Sequence, residues 1–515
     1  MRAADTFVLT RGKWRAVVGL AVLACLAVPA GVTLASAAWA LGQPVGLDYA
    51  EAVVYGQAMR IVSGDPLYQP IDGPPYTVAA YTPLYYWLAG ALRLVAGAGF
   101  WPGRLLSLVA GIATAAMVGV TAGRRHGGAW PAACAALLFL ALGFPGPFPW
   151  LGLYRVDLVG VALSVAAIAV LARSSAPRAV VAASVLAGLA MLCKQTLIAA
   201  ALAGTVWQWR EWRTASAFGG SALLTFVVPC LVLQVASNGA FGQNTVVANV
   251  NPFNASIAAG LLPVFLQTQW LPLLLAAVYL ATRPWHHDRD AALVVLYWGV
   301  TSVSLVVGIA KIGANVNYWI EFAAATAILA ARGAVLLAST TWRTVAGAAA
   351  LIVALGVALA GPGGTLRTFR SDVRAMVQET SRNAEFDALV ERVRREPGGV
   401  LAEPMDVVVL AGRPMLLEPF IYNLLLDAGR WRPDALVARI CRGEIGLLVL
   451  GYPVEVGARM TDGLYALWPA PVMTALQSRM LFESVAAARY VYTPRPGPEP
   501  GCSVPPVSSP WPMLE

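Results

Sequence analysis

Leu47-Asp-Tyr-Ala-Glu51, Ser63-Gly-Asp-Pro-Leu-Tyr68 and Tyr81-Thr-Pro-Leu-Tyr-Tyr-Trp87 follow one another between two strongly apolar regions of the chain. Asp48 and Glu51 come just after an apolar run that ends near Ala40. A proline- and tyrosine-rich loop then leads into further apolar runs. Charge beside a bilayer is costly unless it has a use. This loop is therefore where chemistry is expected.

The surrounding sequence is that of a membrane protein. Of 515 residues, 58% are hydrophobic and 12% charged, about half the charged fraction of a soluble domain. Apolar runs recur at about the 17–25 residues needed to cross a hydrocarbon core. The net charge of +9 does not point to nucleic acid, because the basic residues gather in short loops between apolar runs, the positive-inside pattern. The run from Ala16 to Ala40 follows Arg2, Arg11, Lys13 and Arg15. It is long for a signal peptide and reads as an uncleaved anchor.

Spans are expected at roughly 16–40, 104–121, 129–146, 158–172, 179–193, 196–209, 215–236, 262–282, 291–310, 318–340 and 344–360, about eleven in all. The segment 84–98 is short and carries Arg93, and reads as interfacial or re-entrant. The short runs flanking Lys194 form either two spans or one long tilted helix. With the basic loops Arg124-Arg125-His126, Arg173 to Arg178, Trp209 to Arg213 and Arg283 to Arg289 inside, the N-terminus is cytoplasmic and the C-terminal region extracytoplasmic. The outer surface then collects Asp48, Glu51, Arg104, Arg155, Asp157, Lys194, Gln195, Lys311, Asn317, Tyr318 and Glu321.

After the Pro362-Gly-Gly364 breaker the character changes. Residues 365–396 read as a charged amphipathic helix. Gly399–Glu403, Asp406–Leu410 and Glu444–Leu450 read as short buried strands, alternating with helix-like stretches near 418–428 and 433–442. The expected fold class is an α-helical polytopic membrane protein with a small C-terminal α/β domain. The expected division is 1–360, with an external loop at 41–103, and 361–515. Cys441 and Cys502 are free to pair if that domain is outside. The other four cysteines lie in apolar runs.

Several residues suit chemistry at a membrane face. Asp48 at a helix end can act as a general base on a hydroxyl. Glu51, one turn later, lies on the same face, so the pair suits sharing a proton, binding a divalent cation or holding an acceptor. Lys194, Arg155, Lys311 and Arg104 can bind a phosphate ester and neutralise a phosphate leaving group. Tyr81, Tyr85, Asp157, Gln195, Asn317, Tyr318 and Glu321 supply the amides, carboxylates and rings that suit a sugar. Each has a plainer reading: Asp48 as an N-cap, Lys194 snorkelling to the interface, Arg155 and Asp157 pairing with each other, the tyrosines as an aromatic belt. Neither a P-loop nor a GxGxxG opening a strand–helix unit is present, so nothing points to nucleotide binding. Neither HExxH nor an external histidine occurs, which argues against zinc and leaves room for a carboxylate site for Mg2+ or Mn2+.

Taken in order, Asp48-Tyr-Ala-Glu51, Gly64-Asp-Pro-Leu-Tyr68, Tyr81-Thr-Pro-Leu-Tyr-Tyr-Trp87, Arg155-Val-Asp157 and Cys193-Lys-Gln-Thr196 resemble the motifs of the GT-C glycosyltransferases. The likeness is to the branch with protein mannosyltransferase-like and aminoarabinose-transferase-like enzymes, over roughly residues 10–360. The usual His or Glu before the proline of the third motif is replaced by tyrosine. The resemblance implies a polyprenyl-phosphate sugar donor, an aspartate base in the first external loop, a lysine near the lipid phosphate, inversion at the anomeric carbon, and a bacterial inner membrane location. It leaves the acceptor open among glycan, lipid and protein. The other readings are a transporter or flippase, for which no internal repeat is found, and a non-catalytic envelope scaffold.

Overall fold

The computed structural model describes residues 2–124, 128–144, 150–249, 251–340, 345–361, 365–459, 467–497 and 502. Arg125 and His126, the Pro362-Gly-Gly364 breaker and the tail beyond residue 497, Cys502 apart, lie outside the described residues. Two compact units interleave along the chain. One comprises Met1–Gln43, Tyr81–Ala236 and Pro252–Gln378; the other comprises Pro44–Ala80, Ser237–Asn251 and Glu379–Glu515.

The first unit is helical. Among its described residues, six helical segments are long and apolar enough to cross a membrane: Gly19–Leu41, Trp101–Gly123, Trp212–Ala236, Ala255–Ala281, Arg289–Ile309 and Val316–Leu337. Shorter apolar helices are Leu84–Ala96, Ala129–Leu142 and Pro177–Cys193. Leu84–Ala96 has 13 residues, about 20 Å at 1.5 Å per residue, short of a ~30 Å core.

The chain around Lys194 is not one long helix. The Pro177–Cys193 helix stops at Lys194, whose backbone is extended (φ −152°, ψ 115°). The next helix, Ala199–Trp207, has 9 residues. At about 14 Å it is too short to be the span expected at 196–209.

The second unit is built on a four-stranded sheet: β1 (Gly399–Glu403), β2 (Ile445–Leu450), β3 (Met480–Ala486) and β4 (Arg489–Pro494). Their order is β1-β2-β4-β3. The β1/β2 pair is parallel and both pairs involving β4 are antiparallel. The parallel strands β1 and β2 are apolar on both faces, as a sheet covered twice requires. Leu401, Leu448 and Leu450 pack with Ile421, Leu436 and Leu476, while Val400, Leu447 and Val449 pack with Phe386, Val393 and Val407.

Two local expectations need correcting. Asp406–Leu410 is a short helix rather than a strand; a five-residue apolar run carries no period that separates the two, and here Val407 and Val408 lie against the sheet core. The charged stretch 365–396 is two helices, Thr365–Ser381 and Asn383–Arg395.

The loop after the first span belongs to this second unit. Tyr76 pairs with Leu417 as a parallel bridge, Glu418 N–H donates to the Tyr76 carbonyl at 2.8 Å, and Val78 N–H donates to the Glu418 carboxyl at 3.2 Å. The Asn244 side chain accepts from Ala79 N–H at 2.8 Å and donates to the Gln69 carbonyl at 2.7 Å. Cys441 and Cys502 form a disulfide.

Candidate active site

Antiparallel helix geometry brings the first two site residues together. Asp157 opens a 17-residue helix, and Lys194 follows directly on the 17-residue helix after it. Two antiparallel helices of equal length with a three-residue link place the start of one beside the end of the other. Each charge also sits at the helix end that favours it, the carboxylate at an N-terminus and the ammonium at a C-terminus. The helices close tightly because residue 160 is glycine. A Cβ there would lie 2.3 Å from Leu197 Cδ1 and 3.1 Å from Cys193 Cβ.

The resulting cluster is dense and buried. Lys194 Nζ lies 2.6 Å from Asp157 Oδ1, to which Asn317 Nδ2 also donates at 2.9 Å. The other Asp157 oxygen accepts from the Trp150 indole at 3.0 Å and lies 3.8 Å from Arg155 Nε. Arg155 stacks over the Trp150 ring at 4.9 Å. Lys194 Nζ lies 4.6 Å from the Tyr318 ring centroid and 5.8 Å from that of Tyr81. Arg155, Asp157, Lys194 and Asn317 are all under one tenth exposed.

Glu321 forms a second rung of the same ladder. It stands one turn beyond Asn317 and accepts from Tyr297 Oη at 3.0 Å and from Ser164 Oγ at 2.5 Å. Ser164 is two turns beyond Asp157 on its helix. Asp157–Asn317 and Ser164–Glu321 thus tie the same two segments twice. Fixing a cluster through partners on several elements is what holds charged groups in one geometry in a low-dielectric setting.

Lys311 joins the cluster electrostatically. It sits in the turn after the Arg289–Ile309 helix, where Phe253 and Lys311 pair as a bridge and Ile312 N–H donates to the Pro252 carbonyl at 2.9 Å. Burial, and then repulsion from Lys194, push its ammonium down to about 8. With Asp157 cancelling one charge, Arg155, Lys194 and Lys311 leave the cluster positive, which suits a phosphate.

Arg104 and Tyr85 make contacts with the backbone of the helical unit. Arg104 is fully buried and donates to the Ala40 and Gln43 carbonyls at 2.7 Å each, closing the C-terminal end of the first long helix. Tyr85 is buried, donates to the Gly103 carbonyl at 3.3 Å and meets Tyr154 edge to face. Gln195 follows Lys194 on a half-buried turn.

Asp48 and Glu51 belong to the second unit. Asp48 is the N-cap of the Tyr49–Val62 helix, with one carboxylate oxygen accepting from Ala50 N–H at 3.1 Å. Glu51 is fully buried and accepts from Leu47 N–H at 2.7 Å. This is nearly a capping box, shifted by one residue at the return bond. Among the described residues no group of three or more His, Cys, Asp and Glu side chains could hold a metal ion.

Sequence reading did not find Trp150, Ser164 or Tyr297. Trp150 lies seven residues before Asp157, in a Trp-Leu-Gly-Leu-Tyr run that looks like membrane-interface sequence. Ser164 and Tyr297 sit inside apolar helices. Ser164, two turns after Asp157 on one helix, carries a signal in its spacing; Tyr297, on another helix, carries none.

No protein-family profile and no curated protein sequence matches the chain. Solved structures do. ArnT from Cupriavidus metallidurans bound to undecaprenyl phosphate aligns over 93% of this chain and 99% of that one, with a TM-score of 0.57 and 18% identity. The apo state of ArnT aligns over 95% and 98%, with a TM-score of 0.58 and 16% identity. The apo oligosaccharyltransferase of Archaeoglobus fulgidus aligns over 92% of this chain and 74% of that one, with a TM-score of 0.52 and 13% identity. These likenesses are of fold and extend over both units of the chain. The chain has the fold that ArnT and this oligosaccharyltransferase share, the fold that the GT-C resemblance implied.

Proposed function

We propose that this protein transfers a monosaccharide from a polyprenyl-phosphate donor to a cell-envelope acceptor on the extracytoplasmic face of a bacterial inner membrane. The observation that carries the reading is the buried Arg155–Asp157–Lys194 cluster with Lys311 beside it, on a fold shared with a protein solved with undecaprenyl phosphate. A positive cluster at helix ends, walled by Tyr81 and Tyr318, suits a phosphate ester with a sugar against the rings.

The reaction needs three things from the chain. Asp48 takes the proton of the acceptor hydroxyl. The acceptor oxygen attacks C1 of the sugar as the bond from C1 to the phosphate oxygen breaks, inverting the anomeric configuration. The electron pair of that bond leaves on polyprenyl phosphate, whose added negative charge is neutralised by Lys194, Arg155 and Lys311. Asp157 holds Lys194 and Asn317 in place for this. The apolar helices retain the isoprenoid tail, so donor and site meet at high local concentration.

The Cys441–Cys502 disulfide supports the sidedness, because disulfides persist in oxidising compartments. The test is a panel of polyprenyl-phosphate sugars, each labelled in the sugar, given to purified protein in detergent with an envelope extract. Label moving from lipid to an acceptor with inverted configuration supports the proposal. Label that stays on the lipid with every donor, while the protein moves that lipid across vesicle bilayers, favours a flippase.

A further inference from the structure

We infer that the buried Asp406–Arg489 ion pair of the C-terminal sheet domain sets the position of Asp48 through the backbone of Gly46. The inference rests on Asp48 being the base. Arg489 grips both oxygens of Asp406, the Nη2 contact at 2.7 Å. Asp406 is fully buried and Arg489 nearly so, and Arg489 also lies over the Phe386 ring at 5.0 Å. A buried pair of this kind is poor as a source of stability, since apolar residues would do as well. What it supplies is a fixed acceptor inside a core.

That acceptor is used on the segment that carries Asp48. Gly46 N–H donates to Asp406 Oδ2 at 2.9 Å. The approach is so close that a Cβ on residue 46 would stand 3.1 Å from Asp406 Cβ and 3.2 Å from Oδ2, and Asp406 would have to give way by a few tenths of an ångström. On one side of Gly46, Val45 is buried in the core with Phe386, Val400 and Val407. On the other, Leu47 N–H is held by Glu51, and the Tyr49 hydroxyl accepts from Phe420 N–H at 3.3 Å. Asp48 is thus the one carboxylate in a five-residue stretch whose neighbours on both sides are fastened to the domain. Asp48 itself is half-buried. Asp406 and Arg489 are positioning residues, with Asp406 lying 360 positions from Gly46 in sequence.

A displacement of about 1 Å at a reacting group can cost 10²-fold in rate. Asp406→Asn keeps an acceptor for Gly46 and loses the ion pair; Gly46→Ala keeps the pair and lifts the backbone away from it. Both are measured for polyprenyl-phosphate release under single-turnover conditions, in the wild-type and in the Asp48→Asn background. The expected result is a fall in rate of about 10²-fold for Asp406→Asn and a smaller one for Gly46→Ala, with the donor KM unchanged within about twofold and no further fall in either variant once Asp48 is already Asn. Equal losses in both backgrounds, or a change in KM alone, overturn the inference and leave the base reading standing. Full turnover by Asp48→Asn alone overturns the base reading and this inference with it.

Discussion

Asp157 holds Lys194 by a 2.6 Å contact between two helix ends, and both side chains are almost wholly buried. The same carboxylate takes hydrogen bonds from Trp150 and Asn317. One aspartate therefore organises a lysine, an amide and an indole drawn from three elements.

Removing Asp157 leaves Lys194 as an uncompensated buried charge, at a cost of about 3–5 kcal/mol. Asp157→Ala is expected to lower the thermal midpoint in detergent strongly and to abolish turnover. Lys194→Met is expected to be gentler on stability, because Trp150, Asn317 and Arg155 still satisfy Asp157. It is expected to lower kcat by about 10²–10³-fold if the ammonium stabilises the departing phosphate. Thermal unfolding beside single-turnover release separates the two effects.

The ammonium of Lys311, pushed down to about 8 by burial and by Lys194, is charged below that pH and neutral above it. Donor binding is expected to weaken as pH rises through about 8, appearing as a rising KM. A bound phosphate favours the charged form, so the break for the complex is expected at higher pH than for the free protein. Lys311→Arg keeps its charge and is expected to flatten the profile. KM for the donor between pH 6.5 and 9.5, in both proteins, checks this.

Burial pushes the Glu418 carboxyl up to about 8, while an unfolded chain holds it near ~4.3. Between these values the folded state binds a proton that the unfolded state does not. The stabilising contribution is therefore full below the lower value and lost as pH rises through about 8. Glu418→Gln keeps an acceptor for Val78 N–H and does not ionise. It is expected to match the wild type at pH 5 and to melt higher than it at pH 8.5, as scanning fluorimetry across pH would show.

The Cys441–Cys502 disulfide closes a loop of 61 residues, for which chain-entropy arguments give about 4 kcal/mol. Cys441→Ser is expected to lower the midpoint of the sheet domain by several degrees. In intact cells neither cysteine should react with a maleimide until a reductant is added. Labelling without reductant would argue against an extracytoplasmic C-terminal domain.

Much of the architecture was legible because a bilayer allows few solutions: long apolar runs had to be helices. Positions such as 101–123 and 289–309 were found to within a few residues on that ground alone. The sheet domain was half legible. The strands at 399–403 and 445–450 show as apolar runs, whereas the Met480–Ala486 and Arg489–Pro494 hairpin turns at Ala487 and Ala488, both at positive φ, where no glycine marks a turn. At the candidate site the charged members could be picked out because charge is rare near apolar sequence. Their partners could not, since an indole, a serine and a tyrosine inside a span look like packing. Arg104 and Tyr85 are picked out by the same logic, and both donate to backbone carbonyls, contacts that sequence spacing does not reveal.

The most direct measurement is release of free polyprenyl phosphate from a matched polyprenyl-phosphate sugar, by purified wild-type protein and by Asp48→Asn, with acceptor present. The account predicts release by the wild type and a loss of about 10²–10⁴-fold in the variant, the range for removing a general base. Equal release by both proteins, each shown to be folded, would contradict it.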